Sequence, residues 1–267
     1  MNAIYVWGIA RALGGTVLFR IEDHDRIRCK PEYDAALRED LDWLGFPAGQ
    51  IVRQSERGTL YEQALERLRR TAHVYACDCS RKQVGGECYT GRCRTRALEE
   101  RRDRSLRVQI EPGVERFDDL HLGPQEQTPA RQCGDLLLRD RDGHWTYQFA
   151  VTVDDMDQQI THVIRGADLL SSTGRQIRLA RMLGRDRPPR FLHHPLIVKP
   201  SGEKLSKAAG DTSVRDLRRA GVSAAEVIGR AAAAVGLVEN ARPFTAAEVS
   251  ELKGVSDAAR TARPISA

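Results

Sequence analysis

Three groups of residues in this chain carry recognisable chemistry before any fold is assigned. The run Arg20-Ile21-Glu22-Asp23-His24-Asp25 sets a guanidinium, carboxylates and an imidazole almost side by side. Such density suits a charged substrate; the structural alternative is helix capping and ion pairing. Further on, Gly202-Glu203-Lys204-Leu205-Ser206-Lys207 places two lysines around a serine in a stretch bounded by glycine and proline. Mobile ammonium charges can follow the phosphates of a nucleotide as charge develops in nucleotidyl transfer, although a solvated surface loop has the same composition. Four of the six cysteines, Cys77, Cys79, Cys88 and Cys93, crowd into one segment. They are too few for a disulfide scaffold, and their clustering predicts a metal site in a reducing compartment. Cys29 and Cys133 stand apart and are expected to be packing residues.

The elements that must position these groups follow from pattern. Ala3 to Leu13 has few polar positions and stops at Gly14-Gly15, as a mostly buried helix does. Thr16 to Ile21 is an apolar, β-branched run that reads as a buried strand. It delivers the Arg20–Asp25 charges to a strand end, where open α/β sheets form their ligand crevice. After Pro31, residues Tyr33, Leu37, Leu41 and Leu44 recur at helical spacing until Gly45, and a further helix from Ser55 carries Leu60, Ala64, Leu65 and Leu68 on one side. The cysteine segment interrupts this alternation as an insertion. Strands are expected over Leu106–Ile110 and on either side of Arg141-Asp142-Gly143, whose Asp-Gly pair suits a hairpin. Thr161–Ile164 then leads into a helix from Gly174 to Leu183, preceded by Ser171-Ser172-Thr173, as another β/α unit. Beyond residue 210 the pattern is helical, with capping boxes at Ser223–Glu226 and Thr245–Glu248. The stretch from Arg92 to Arg107 reads as a solvated helix face, with a nucleic-acid contact as the other reading. The expected fold class is α/β.

Composition sets the outer bounds. The chain has 267 residues, 41% hydrophobic and 30% charged, enough to bury a core. Its formal net charge of +5 permits a polyanionic partner without requiring one. No apolar run approaches the length of a bilayer span, and the first residues lack a signal peptide's basic and apolar regions. A cytoplasmic, membrane-free protein with no implied protein partner is expected.

Taken in order, four motifs make the chain resemble the glutamyl-tRNA synthetase group of class I synthetases. They are Arg20–Asp25, Tyr147–Asp155, Ile160–Asp168 and Lys204–Lys207. The resemblance covers residues 2 to 215 and implies a Rossmann-type parallel sheet that condenses L-glutamate with ATP, accompanied by Mg2+. It makes Glu22 a contact for the substrate ammonium and places Tyr147 and Arg165 in the glutamate pocket. Lys204 and Lys207 become catalytic residues of a KMSKS-like loop, with Lys207 on ATP phosphate and Ala208 in place of the last serine. The family's opening strand and HIGH loop, which hold nucleotide phosphates at a helix N-terminus, have no counterpart here. An N-terminally truncated frame is the expected explanation, and with it weak glutamate adenylation; a degenerate synthetase is the alternative.

Cys77-Asp78-Cys79, with Tyr89 and Cys93 following, resembles the zinc site of glutamyl-Q tRNA(Asp) synthetases, the short relatives that load glutamate onto queuosine. The resemblance implies one structural zinc on Cys77, Cys79, Tyr89 and Cys93, with Cys88 a substitute for Tyr89. About 60 residues follow Lys207, too few for a full anticodon-binding region, which again favours tRNA(Asp) bearing queuosine as partner. Four parts are expected: residues 1–70 as the first part of the catalytic domain, 71–130 as a zinc-bearing insert, 131–212 as its second part, and 213–267 as a short helical C-terminal region. The other readings are a truncated glutamyl-tRNA synthetase charging tRNA(Glu) and a tRNA- or zinc-binding pseudoenzyme.

Overall fold

The computed structural model describes residues 1–23, 31–47, 49–86, 88–198 and 212–262. Its opening helix α1 (Asn2–Leu13) ends as its glycines predict. Gly14 takes a left-handed conformation, φ 64°, and its N–H returns to the carbonyls of Ala10 and Arg11. Strand β1 (Leu18–Ile21), helix α2 (Pro31–Leu44) and strand β2 (Gln50–Arg53) form a β/α/β unit, with β1 and β2 parallel. A short 3-10 turn over Gln54–Glu56 precedes α3 (Gly58–Thr71), so this helix starts three residues after Ser55.

The middle of the chain supplies a small antiparallel sheet. It joins β3 (Val74–Cys77), β4 (Ser105–Val108) and, after the short α4 (Arg81–Val84) and further strands, β7 (Leu136–Arg139), in the order β3-β4-β7. A second sheet holds β5 (Glu115–Asp119), β6 (Gly123–Gln127), β8 (His162–Gly166) and β9 (Arg190–His194), in the order β6-β5-β9-β8. Here β8 runs parallel to β9 through α7 (Thr173–Met182), the expected β/α unit. The one-turn α5 (Pro129–Gln132) and helix α6 (Tyr147–Asp157) complete this region. The C-terminal helices are α8 (Val214–Arg219), α9 (Ala224–Ala234) and α10 (Lys253–Ala262).

The two largest of four apolar clusters among the described residues carry most of the packing. One gathers Leu65 and Leu68 of α3, Leu106 of β4, Leu138 of β7, Phe149 of α6 and Leu179 of α7. In the other, Ile4, Tyr5 and Ile9 of α1 meet Val249, Val255 and Ala258 near the C-terminus, with Leu192 of β9 beneath. The C-terminal region therefore covers the first helix.

Several expectations are corrected. All four β1 residues are half-buried rather than buried. Among the described residues β1 pairs only with β2, and β8 only with β9; a cleft of about 1060 Å³ is lined by both β1 and β8 and exposes them. Arg92–Arg107 contains turns and then β4, without a helix. Three of its arginines have specific partners: Arg94 pairs with Asp135, Arg96 with Asp78, and Arg107 lies over the Tyr89 ring at 3.9 Å. The expected hairpin at Arg141–Gly143 returns through a single bridge, Arg139 to Trp145. Ser223 and Glu226 form the expected reciprocal cap. At Thr245 the Glu248 carboxylate accepts from the Thr245 N–H and hydroxyl, but only a 3-10 turn follows. Ser213 and Asp216 add a capping box that pattern reading passed over.

Candidate active site and metal centre

The cleft brings three of the expected site residues together. Glu22 follows the C-terminal end of β1, Tyr147 opens α6 and Arg165 sits near the end of β8, and all three line it. Each is carried to the site by a strand end or a helix start, where side chains project from a rigid frame. Arg20 and Asp155 line the same cleft and form an ion pair at 2.8 Å. Burial pushes the Asp155 carboxyl above the ordinary range despite the Arg20 charge. For Arg20 burial acts downward, but the Asp155, Asp154 and Glu22 charges outweigh it and hold the guanidinium more firmly protonated. Asp23, beside Glu22, turns away from the cleft's chemistry: it accepts from the Ser55 N–H at 2.9 Å and the Ser55 hydroxyl at 2.8 Å. Burial, the largest single effect, pushes its carboxyl up, but those bonds and Arg53 together outweigh it and hold the carboxyl below its ordinary range. The bland reading of this motif thus holds for Asp23.

Arg165 is the most informative side chain. It is 6% exposed. Its guanidinium donates to His193 Nε2 at 3.1 Å, to Gln176 Oε1 at 2.8 Å and to Thr173 Oγ at 2.8 Å. All three are neutral acceptors, and no described carboxylate lies in ion-pair contact with it. Burial lowers its pKa, partly offset by Tyr147, Asp155 and Glu22. Burial likewise raises the Tyr147 phenol. A buried cation without an anionic partner is costly unless a ligand supplies the charge, and a guanidinium can take a carboxylate in two parallel bonds. Glu22 supplies the opposite sign within the same cleft, so one pocket offers a cationic and an anionic end.

Lys204 and Lys207, with Ala208, lie outside the described residues, as do His24, Asp25 and Cys29.

The cysteine segment forms a second centre. The sulfurs of Cys77, Cys79 and Cys93 come within 4.8 Å of one another. The Tyr89 hydroxyl lies 3.4 Å from Cys77 Sγ and 3.7 Å from Cys79 Sγ, and Cys79 and Cys93 are 3.5 Å apart. Tetrahedral zinc with Zn–S bonds near 2.3 Å sets sulfurs roughly 3.8 Å apart, so three thiols and a phenol fit that geometry. Cys88 is not a member: its sulfur lies 4.0 Å from the Ala130 carbonyl. Cys133 is buried with its thiol on the Pro129 carbonyl at 3.1 Å, a packing residue as expected. Tyr89 is held in place by a bridge to Gly134, where a Cβ would meet the Tyr89 carbonyl oxygen at 1.9 Å; only glycine permits that approach.

Sequence reading missed the Asp119–His193 pair behind Arg165. The residues stand 74 positions apart and belong to no motif; the one available signal was the His193-His194 doublet at a strand end.

Comparison with known proteins gives the family. The family model described as "tRNA synthetases class I (E and Q), catalytic domain" matches residues 1–251. A glutamyl-Q tRNA(Asp) synthetase from Nitratidesulfovibrio vulgaris is 38% identical over 265 residues, covering 89% of this chain and 81% of the relative. One from Pseudomonas aeruginosa is 45% identical over 202 residues, covering 74% and 68%. Among solved structures, a glutamate tRNA ligase from Elizabethkingia meningosepticum in complex with its amino acid superposes with a TM-score of 0.79 at 24% identity, over 96% of this chain and 61% of that one. That likeness establishes the α/β fold with its parallel sheet. Among the described residues no helix is long and apolar enough to cross a membrane. With a family model covering almost the whole chain and relatives of this similarity, the chain belongs to the class I tRNA synthetases (E and Q) and is an ATP-using ligase of that family.

Proposed function

We propose that this ligase activates L-glutamate with ATP and Mg2+ and transfers it to the queuosine of the tRNA(Asp) anticodon, in the cytoplasm. The observation that carries the glutamate assignment is the buried Arg165 guanidinium, with no carboxylate partner among the described residues, in one cleft with Glu22 and Tyr147. In this reading Arg165 and Tyr147 hold a substrate carboxylate and Glu22 holds the ammonium. The reacting carboxylate attacks the α-phosphate of ATP, pyrophosphate leaves, and Lys204 and Lys207 stabilise the charge that develops on the phosphates. A hydroxyl of the queuosine cyclopentene-diol then attacks the adenylate carbonyl and displaces AMP. The queuosine assignment is supported by the names of the relatives.

Residues 1–70 and 131–212 are the two parts of the catalytic domain, 71–130 the insert and 213–267 the helical C-terminal region. Cys77, Cys79, Tyr89 and Cys93 hold one structural Zn2+, which staples the insert.

The test is transfer of labelled glutamate. Queuosine-bearing tRNA(Asp) should be charged, whereas tRNA(Asp) lacking the modification and tRNA(Glu) should not. Removing the 3′-terminal nucleoside should leave acceptance intact, and periodate cleavage of the queuosine diol should abolish it. Charging of tRNA(Glu) at its 3′ end would assign the chain to ordinary glutamyl-tRNA synthesis instead.

A further inference from the structure

We propose that Asp119 and His193 are positioning residues for Arg165, a role that rests on Arg165 being the substrate-carboxylate contact. Neither reaches the cleft: Asp119 is 3% and His193 0% exposed. Asp119, at the end of β5, accepts backbone N–H bonds from His121 at 3.0 Å, Leu122 at 2.9 Å and His193 at 3.1 Å. Its Oδ2 also lies 2.6 Å from His193 Nδ1. A carboxylate so placed can only accept, so Nδ1 carries the proton.

The other ring nitrogen then has one possible state. Nε2 faces Arg165 Nε at 3.1 Å and the Thr173 hydroxyl at 3.1 Å. Arginine Nε is only a donor. A proton on Nε2 would set two N–H groups and two positive charges against each other, so Nε2 is bare and accepts. Thr173 closes the ring, since its oxygen accepts from Arg165 Nη2 while its hydrogen is free to point at Nε2. Gln176 takes Nη1 and is itself tied to Gln148 at 2.9 Å. Three of the five guanidinium N–H groups are thereby held from behind, while the Tyr147 phenol meets the guanidinium from the cleft side. The chain Asp119–His193–Arg165 thus sets a histidine tautomer on the neighbouring strand β9 and, through it, the orientation of the pocket's cation. It deploys a donor in the geometry that substrate needs before substrate arrives, which limits the ordering cost of binding.

Asp119→Asn is the discriminating variant. Its carbonyl can keep the His121 and Leu122 bonds, while its amide now donates towards Nδ1 and drives the proton to Nε2, against Arg165. On the 267-residue chain, 15N NMR of the histidines should show His193 as the Nδ1–H tautomer, changing to Nε2–H in Asp119→Asn. Calorimetry with L-glutamate should show affinity falling roughly 10- to 100-fold, the size expected for a lost bond to a charged group, with ATP affinity unchanged. His193→Gln, which can keep a neutral acceptor towards Arg165 without a ring, should lose less than His193→Leu. Thermal melting reports folding, and a variant that does not fold is replaced in the comparison by the His193→Gln and His193→Leu pair. An unchanged glutamate affinity in Asp119→Asn and His193→Leu, when Arg165→Ala loses it, overturns the positioning role alone. Glutamate binding unaffected by Arg165→Ala, or absent from the unaltered chain, overturns the reading of the pocket itself.

Discussion

In the proposed function Arg165 and Glu22 divide the recognition of an amino acid with a second carboxylate, and their separate tasks can be tested separately. Arg165→Lys keeps the charge but concentrates its donors on one nitrogen, which cannot serve His193, Thr173, Gln176 and a ligand carboxylate together. Glutamate affinity should fall by about 2 kcal/mol, the lower end for a broken buried charge pair, with ATP affinity as the control. Glu22→Gln should weaken L-glutamate by about 1.5 kcal/mol or more yet leave glutarate, which lacks the ammonium, bound as before; equal losses for both ligands would remove Glu22 from the ammonium site. Glu22, Tyr147 and Arg165 were singled out through motifs that resemble those of the glutamyl-tRNA synthetase group, and all three line one cleft. Asp119 and His193 were not, because a buried pair separated by 74 residues leaves no local pattern in either strand.

At the scale of elements, the cysteine cluster and the arginine-rich stretch beside it are joined by specific contacts. Arg94 holds Asp135, Arg107 covers the Tyr89 ring, and Tyr89 itself meets Gly134. The helix expected over Arg92–Arg107 does not form: charge density suggested a solvated face, but Arg94 and Arg107 have a buried and an aromatic partner that an extended and turning backbone reaches. The β/α units, by contrast, were readable because apolar periodicity and glycine stops are local signals. Two substitutions probe the insert. Elemental analysis should find about one zinc per unaltered chain, and Cys93→Ser should lose it and lower the melting temperature; a metal-free protein of undiminished stability would contradict the site. Gly134→Ala places a methyl group 1.9 Å from the Tyr89 carbonyl oxygen at a φ of +64°, and should cost about 2 kcal/mol or more while leaving the cleft's glutamate affinity intact in whatever fraction remains folded.

For the whole molecule, parallel strands, inserted sheet and C-terminal helices share a dependence on pH, because carboxylates and imidazoles tie them together. Composition foretold a core, but not that Val249 and Val255 would close over Ile4 and Tyr5, since contacts between chain ends have no signature along the sequence. Burial lowers His162 on β8 and His194 on β9. A base depressed on folding contributes stability that is complete above its unfolded value, about 6.5, and is lost as pH falls through the folded one. Asp119 is lowered because the bonds from His193 and from backbone N–H groups outweigh burial; Asp216 and Glu226 are lowered first by their bonds from Ser213 and Ser223. Their contributions are present above about pH 4 and disappear below it. Asp155, raised by burial, acts the other way: the folded state holds its proton to higher pH than the unfolded state, so stability falls as pH rises through its titration. The melting temperature should therefore decline in two stages on acidification, a shallow one below about pH 6.5 and a steep one below about pH 4. His162→Gln and His194→Gln together should remove the shallow stage, and Asp119→Asn should soften the steep one. Asp155→Asn should make the shallow decline more pronounced, because the opposing titration is gone; an identical profile in that variant would mean that Asp155 is ionised alike in the folded and unfolded chain.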